Sequence, residues 1–203
     1  MPAQTVPKQA RALATRQRLL DAAVDELLDR GYAGLTTPAV ARRAGVSRGA
    51  QQNYFHNKAA LVVAAVRHLA ARQLGELRDQ LADVPNGPKR VKAGLDVLFE
   101  QYSGPLFAAM VELSLASRAD PELGEVIAAE TQSIIDTVRT TAVLIFGEGF
   151  PASRDEHTRW ATMLAAIRGL ALMKLLGHSA ASVDRQWQAT RDQLLDLLLT
   201  RGS

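Results

Sequence analysis

Between Arg48 and Lys58 the chain gathers side chains suited to reading nucleic acid: Arg48, Gln51, Gln52, Asn53, Tyr54 and Lys58. An arginine can pair bidentately with guanine O6 and N7, and a glutamine or asparagine with adenine N6 and N7. Catalytic chemistry is not similarly represented. The four histidines (His56, His68, His157 and His178) show no metal-ligand spacing, and HExxH is absent. No glycine-rich phosphate loop occurs, and no acid, base and nucleophile are placed together. The absence of cysteine excludes disulfides, iron–sulfur clusters and thiol nucleophiles. The expectation is a non-enzyme with no metal site and no cofactor.

The elements that must position these groups lie between Leu35 and Leu61, in the stretch LTTPAVARRAGVSRGAQQNYFHNKAAL. Thr37 followed by Pro38 reads as a helix cap and a favourable first helical residue. Val40, Ala41 and Ala44 give a small apolar face, and Gly45 supplies a left-handed stop. Val46 is placed to plug the corner. Ser47 caps a second helix, with its N-terminal amides directed towards the DNA backbone. Two helices joined by a tight glycine turn, the second bearing Arg48, Gln52, Asn53 and Tyr54, describe a helix-turn-helix whose second helix fits a major groove. Double-stranded DNA is the expected partner.

Charge is unevenly spread. Residues 1–60 carry nine Lys or Arg against four acids, a balance of +5, whereas the remainder holds fifteen basic and seventeen acidic residues, a balance of −2. Such asymmetry fits a chain that meets phosphate at one end. The 203 residues, 47% of them hydrophobic, can supply a sizeable core. The longest apolar run, Ala59 to Val66, is too short to cross a bilayer. No secretory signal pattern opens the chain, so a cytoplasmic protein with no membrane partner is expected.

Punctuation by glycine and proline predicts an all-α fold of about nine helices. The first covers about 15–30, with Leu19, Leu20, Ala23, Leu27 and Leu28 on its apolar side and Gly31 as its stop. After the helix-turn-helix come helices over about 58–83, 89–102, 105–117 and 121–146, the last opening with Asp120 as cap and Pro121 at its first position. Ser153 and Glu156 form a capping box for a helix over 154–176, and Ser182 caps a final one over 183–200. A mobile tail is expected before about Ala10. The expected division is a DNA-binding domain over 1–60 and a helical body over 61–203.

The opening amphipathic helix, Gly31-Tyr32, Leu35-Thr36-Thr37, Val40-Ala41, Ala44-Gly45-Val46-Ser47, Gly49, Tyr54-Phe55, Lys58 and Leu61 together resemble the tetracycline-repressor (TetR) family of bacterial regulators. The resemblance covers about residues 15 to 62 and implies a three-helix DNA-binding head on a larger body that dimerises and encloses a small-molecule pocket. Thr36 and Thr37 match family positions that contact phosphate, and Lys58 matches a phosphate-binding lysine. A lysine at a helix start opposes the helix dipole, so phosphate would give it a reason to be there. Arg48 is placed to reach base edges. Gly49 allows close backbone approach to the duplex, and Ala50 leaves similar room. The sequence departs from the family at Gln51 and Gln52, where an apolar residue and a tyrosine are usual. The tyrosine's role then passes to Gln52 or Tyr54, and Gln52 or Asn53 becomes a candidate base reader. Gln51 points to the head's interior or edge and is assigned no contact.

For the body, Tyr102, Phe107, Met110, Glu112 and Met163 (with Met173) are pocket candidates, Glu112 as an acid in an apolar stretch that could face a cationic ligand. Trp160, Leu164, Ile167, Ala171 and Leu175, with Trp187, Leu194 and Leu198, form apolar stripes. The resemblance assigns these last two helices to a four-helix homodimer interface, although such stripes can equally be buried within one subunit. The implied function is a ligand-responsive regulator binding a palindromic operator, with an unidentified small-molecule effector. Two alternatives stay open: an architectural DNA-binding protein without effector, and a helical ligand-binding module whose head no longer binds DNA.

Overall fold

The computed structural model describes residues 8–148 and 150–199, and most of the tail expected ahead of Ala10 falls outside them. Among the described residues there are ten helices and no strand. They are α1 (Lys8–Gly34), α2 (Thr37–Arg43), α3 (Arg48–Tyr54), α4 (Lys58–Leu81), α5 (Pro88–Tyr102), α6 (Pro105–Ala116), α7 (Pro121–Ala129), α8 (Thr131–Phe146), α9 (Arg154–Leu175) and α10 (Ala180–Leu199). The tenth arises because the expected helix over 121–146 is two. Glu130 N–H bonds to Ile127 O, a three-residue step that interrupts the α ladder, with no glycine or proline to mark it. Two caps also shift. Thr36, not Thr37, caps α2 by accepting from Ala39 N–H at 3.3 Å, which moves Pro38 one place inward. The last helix begins at Ala180, ahead of Ser182, and Ser179 O accepts from Val183 N–H.

Two compact units emerge. One joins residues 1–69 to 109–130; the other joins 70–108 to 131–203. The first unit therefore extends past the expected boundary at residue 60, taking in the start of α4, most of α6 and all of α7.

In the first unit, Leu19, Leu20, Ala23 and Leu27 of α1 are buried together with Leu35, Val40, Phe55, Leu61 and Val62. Leu28, expected on that face, is instead 41% exposed. Ion pairs tie α1 to α2. Buried Glu26 meets Arg30 at 3.3 Å and Arg43 at 3.2 Å, and Arg43 reaches Asp29 at 2.6 Å.

The second unit packs α5 against α8, α9 and α10. Val91, Leu95, Leu98 and Phe99 recur at helical spacing on the buried side of α5. Gly94 on the same side allows a close approach, since a Cβ there would stand 2.7 Å from Ile145 Cγ1. Phe99 stacks on Trp187 at 4.5 Å, and Asp96 accepts from Trp187 Nε1 and Arg191 Nη1, both at 3.0 Å.

Six residues of the apolar stripes on the last two helices take part in this packing. Trp160, Leu164, Ile167 and Ala171 of α9 and Trp187 and Leu194 of α10 are buried in their own protomer's core. Their stripes help to fold the unit. Leu175 is 47% exposed and Leu198 half-buried.

Candidate nucleic-acid interface

The turn between α2 and α3 follows from three residues. Gly45 takes φ 66°, Val46 N–H returns to Ala41 O at 3.0 Å, and Gly45 N–H to Arg42 O at 3.2 Å. This paired bonding is the Schellman arrangement that closes a helix on a left-handed glycine. Ser47 then caps α3, its Oγ accepting from Ala50 N–H at 3.2 Å.

The short α3 turns one side inward. Gln51 is 2% exposed, and its Nε2 donates to Phe55 O at 3.0 Å, satisfying a carbonyl at the helix end. Arg48, Gly49, Gln52 and Asn53 are exposed, with Ala50 and Tyr54 half-buried. A Cβ added at Gly49 would meet nothing within 4 Å. The residues suited to base edges therefore occupy one outward face.

Beside α3 lies a cleft of about 340 Å³ lined by Ala33, Leu35, Thr36, Thr37, Pro38, Gln51, Gln52, His56, Asn57 and Lys58. It brings together Thr36, Thr37, Gln52 and Lys58, four candidates drawn from three helices and a cap. The sequence reading did not single out His56 or Asn57 here. Their position within two residues of Lys58 was the available signal. Asn57 bonds in both directions: Oδ1 accepts from Ala60 N–H at 2.7 Å, and Nδ2 donates to Glu122 at 2.6 Å.

Lys58 is one of the residues lining the cleft. Its Nζ stands 4.2 Å from the Tyr32 ring centroid and 3.5 Å from Ala33 O, a cation over an aromatic face. Burial pushes its ammonium pKa down, while Asp120 and Glu112 favour its charge. The Tyr32 phenol donates to Asp120 Oδ2 at 3.0 Å; burial first, then Asp120, pushes its pKa up to about 12. Asp120, expected as the α7 cap, performs that role by accepting from Leu123 N–H at 3.0 Å. That bond, followed by the one from Tyr32, holds its carboxyl below the ordinary range.

Of the pocket candidates, Met110 and Glu112 belong to the first unit, and Tyr102, Phe107, Met163 and Met173 to the second. Glu112 is committed to the head: its Oε1 accepts from Tyr32 N–H at 2.6 Å and lies 3.4 Å from Ala33 N. In the second unit, Tyr102 meets Phe107 edge-on at 5.4 Å and accepts from Arg168 at 3.1 Å. Met163 is fully buried.

The letters Gly45-Val46-Ser47-Arg48-Gly49 match the GxSxG pattern of serine hydrolases. That pattern needs a strand before the serine, and here a helix precedes it. Ser47 Oγ is occupied as a helix cap instead.

An exposed polar helix on a glycine turn, beside a cleft that Lys58 helps to line, has the form of a helix-turn-helix of the DNA-binding class. Residues 19–65 match the model of the bacterial regulatory proteins of the tetR family. The chain is 30% identical over 167 residues to the HTH-type transcriptional regulator CymR of Pseudomonas putida, covering 81% of each protein. An uncharacterized HTH-type regulator of Mycobacterium tuberculosis is 32% identical over 120 residues, and the match spans only 62% of that relative. The multidrug binding protein EbrR, solved with proflavin, aligns over 90% of this chain and 99% of its own at 27% identity, with a TM-score of 0.56. The chain belongs to the TetR family.

Proposed function

We propose that the protein is a ligand-responsive repressor that binds a palindromic operator as a homodimer and is released by a small-molecule effector. The observation carrying this reading is the pairing of an outward polar face on α3 with the Thr36–Lys58 cleft beside it. In this reading Arg48, Gln52 and Asn53 address base edges, while Thr36, Thr37, Lys58 and the backbone around Gly49 address phosphate. Ser47 holds the start of α3, and Ala50 and Tyr54 shape its flanks.

Two recognition helices reach successive major-groove faces about 34 Å apart only in a dimer. The surface available for pairing is the side of α9 opposite its core stripe. Ala161, Ala165, Gly169, Leu172 and Leu176 recur there three or four residues apart, all exposed. Leu172 is 37% and Leu176 71% exposed, and a Cβ at Gly169 would meet nothing within 4 Å. On α10, Ala189 and Leu197 are exposed as well. Small residues there let two copies of the helix approach closely, and the leucines supply apolar area.

The solved relative EbrR binds proflavin, which supports a small-molecule effector for this chain. Release requires the effector to bind one dimer state more tightly than the other; reversing a 99:1 equilibrium takes about 5.5 kcal/mol.

Selection of duplexes from a randomised pool on the purified protein tests the reading. An inverted repeat with half-site centres about one helical turn apart is expected. An asymmetric consensus, or none, would overturn it.

A further inference from the structure

Three carboxylates from one segment grip the head. Glu112 of α6 accepts from Tyr32 N–H at 2.6 Å, Asp120 at the α7 cap accepts from the Tyr32 phenol at 3.0 Å, and Glu122 accepts from Asn57 Nδ2 at 2.6 Å. Two of them bond Tyr32, Asp120 through its phenol and Glu112 through its backbone N–H, and the third bonds Asn57 next to Lys58, whose Nζ rests 4.2 Å from the Tyr32 ring. The segment lies some fifty residues or more beyond Lys58 in sequence, yet it belongs to the same compact unit.

We infer that Asp120 and Glu112 are an electrostatic brake on DNA binding, opposing a backbone phosphate for the charge of Lys58. The inference rests on the DNA-binding reading above and deepens it by naming a control on the cleft. A phosphate approaching Lys58 meets the field of two carboxylates as well as the ammonium, so part of the attraction is cancelled before contact. Burial disfavours the charge of Lys58, and both acids favour it. Glu112 is not a spare acid in this arrangement, because it is already hydrogen-bonded to the backbone after Gly31.

The brake gives α6 and α7 a route to affinity that needs no movement of α3. Any event that withdraws Asp120 or Glu112 strengthens the grip, and any event that presses them closer weakens it. Such control acts on all sequences alike, because it works through phosphate and not through base edges.

The test measures binding of the full chain to a random-sequence duplex at low and high salt. Asp120→Asn removes the charge while keeping an oxygen to cap α7, and Glu112→Gln keeps an acceptor for Tyr32 N–H. Asp25→Asn, exposed on α1, controls for net charge. The first two variants are expected to bind about three- to tenfold more tightly at low salt, a gain that shrinks as salt screens it. The control is expected to gain less than about twofold, as a screened surface charge. In a Lys58→Ala background the gain is expected to vanish, an outcome that a change in folding alone would not produce. Wild-type binding with Asp120→Asn and Glu112→Gln no tighter than the control overturns the brake and leaves the regulator reading standing. A gain that survives Lys58→Ala overturns it too. Failure of every form to bind DNA overturns both.

Discussion

Replacing Gly31 with alanine probes the joint between α1 and the rest of its unit. The residue sits at φ 66°, ψ 177°, inside a segment otherwise helical. That region is open essentially to glycine alone and costs other residues about 1–3 kcal/mol. A Cβ would also stand 2.7 and 2.9 Å from the two carboxylate oxygens of Glu112. Glu112 must then withdraw, depriving Tyr32 N–H of its acceptor, and a hydrogen bond to a charged group contributes about 1.5–3 kcal/mol. The stiffer unfolded chain returns about 0.4–1 kcal/mol. The net expectation is a loss of roughly 2–5 kcal/mol. Hydrogen exchange at the Leu19–Leu27 amides reads this locally, and urea denaturation reads it globally. In a Glu112→Ala background the contact is already gone, so Gly31→Ala should cost only its backbone strain less the same return from the unfolded chain, about 0–2.5 kcal/mol. A loss below about 0.5 kcal/mol, smaller than the least strain such a conformation carries, would refute the argument. Equal losses in both backgrounds would show that the Glu112 contact contributes nothing.

Other consequences follow from the same geometry. Arg48→Ala should cost about 1–3 kcal/mol on a specific site and relax one base position; equal loss on random DNA would reassign Arg48 to the backbone. Lys58→Ala should weaken binding to every sequence and reduce the salt slope by about one unit. On α9, Ala165→Glu should leave the monomer folded and abolish dimerisation in sedimentation, whereas Trp187→Ala should cost about 3–5 kcal/mol of stability through the cavity it leaves. Tyr32 is held protonated, with a folded pKa near 12 above its ordinary 10, so its contribution is intact below pH 10 and lost as pH climbs towards 12. Tyr32→Phe should remove that share of the alkaline loss in a pH-dependent melt.

Local signals were the most legible part of the sequence. Gly45, Ser47, Asp120 and Ser153 each announce a helix end by chemistry confined to a few residues, and each acts as expected, whereas Glu156 accepts from Ala152 N–H and not from Ser153 N–H as a capping box would have it. The break at Glu130 was not legible, because a single three-residue hydrogen-bond step needs no special residue. Thr36 and Thr37 are both competent caps, so only the backbone could choose between them. Long-range roles were hidden for another reason. An apolar stripe such as Trp160–Ile167 has the same period whether it faces its own core or a partner, and burial alone decides. Glu112 reads as a ligand-facing acid in the sequence because its hydrogen-bond donor lies eighty residues away, at Tyr32 N–H. Gln51, a departure from the family pattern, turns out to fill an interior position by bonding Phe55 O, so the substitution leaves the outward face of α3 available.

The central claim is sequence-specific recognition of DNA, and fluorescence anisotropy with duplexes tiled across the DNA flanking the protein's own gene tests it most directly. Each duplex would be run beside random sequence at two salt concentrations, with wild type and Arg48→Ala in parallel. The account predicts one palindromic site bound at least about a thousandfold more tightly than random DNA, with much of that preference lost in Arg48→Ala. Uniform binding that simply falls with salt, the same for both proteins, would contradict it.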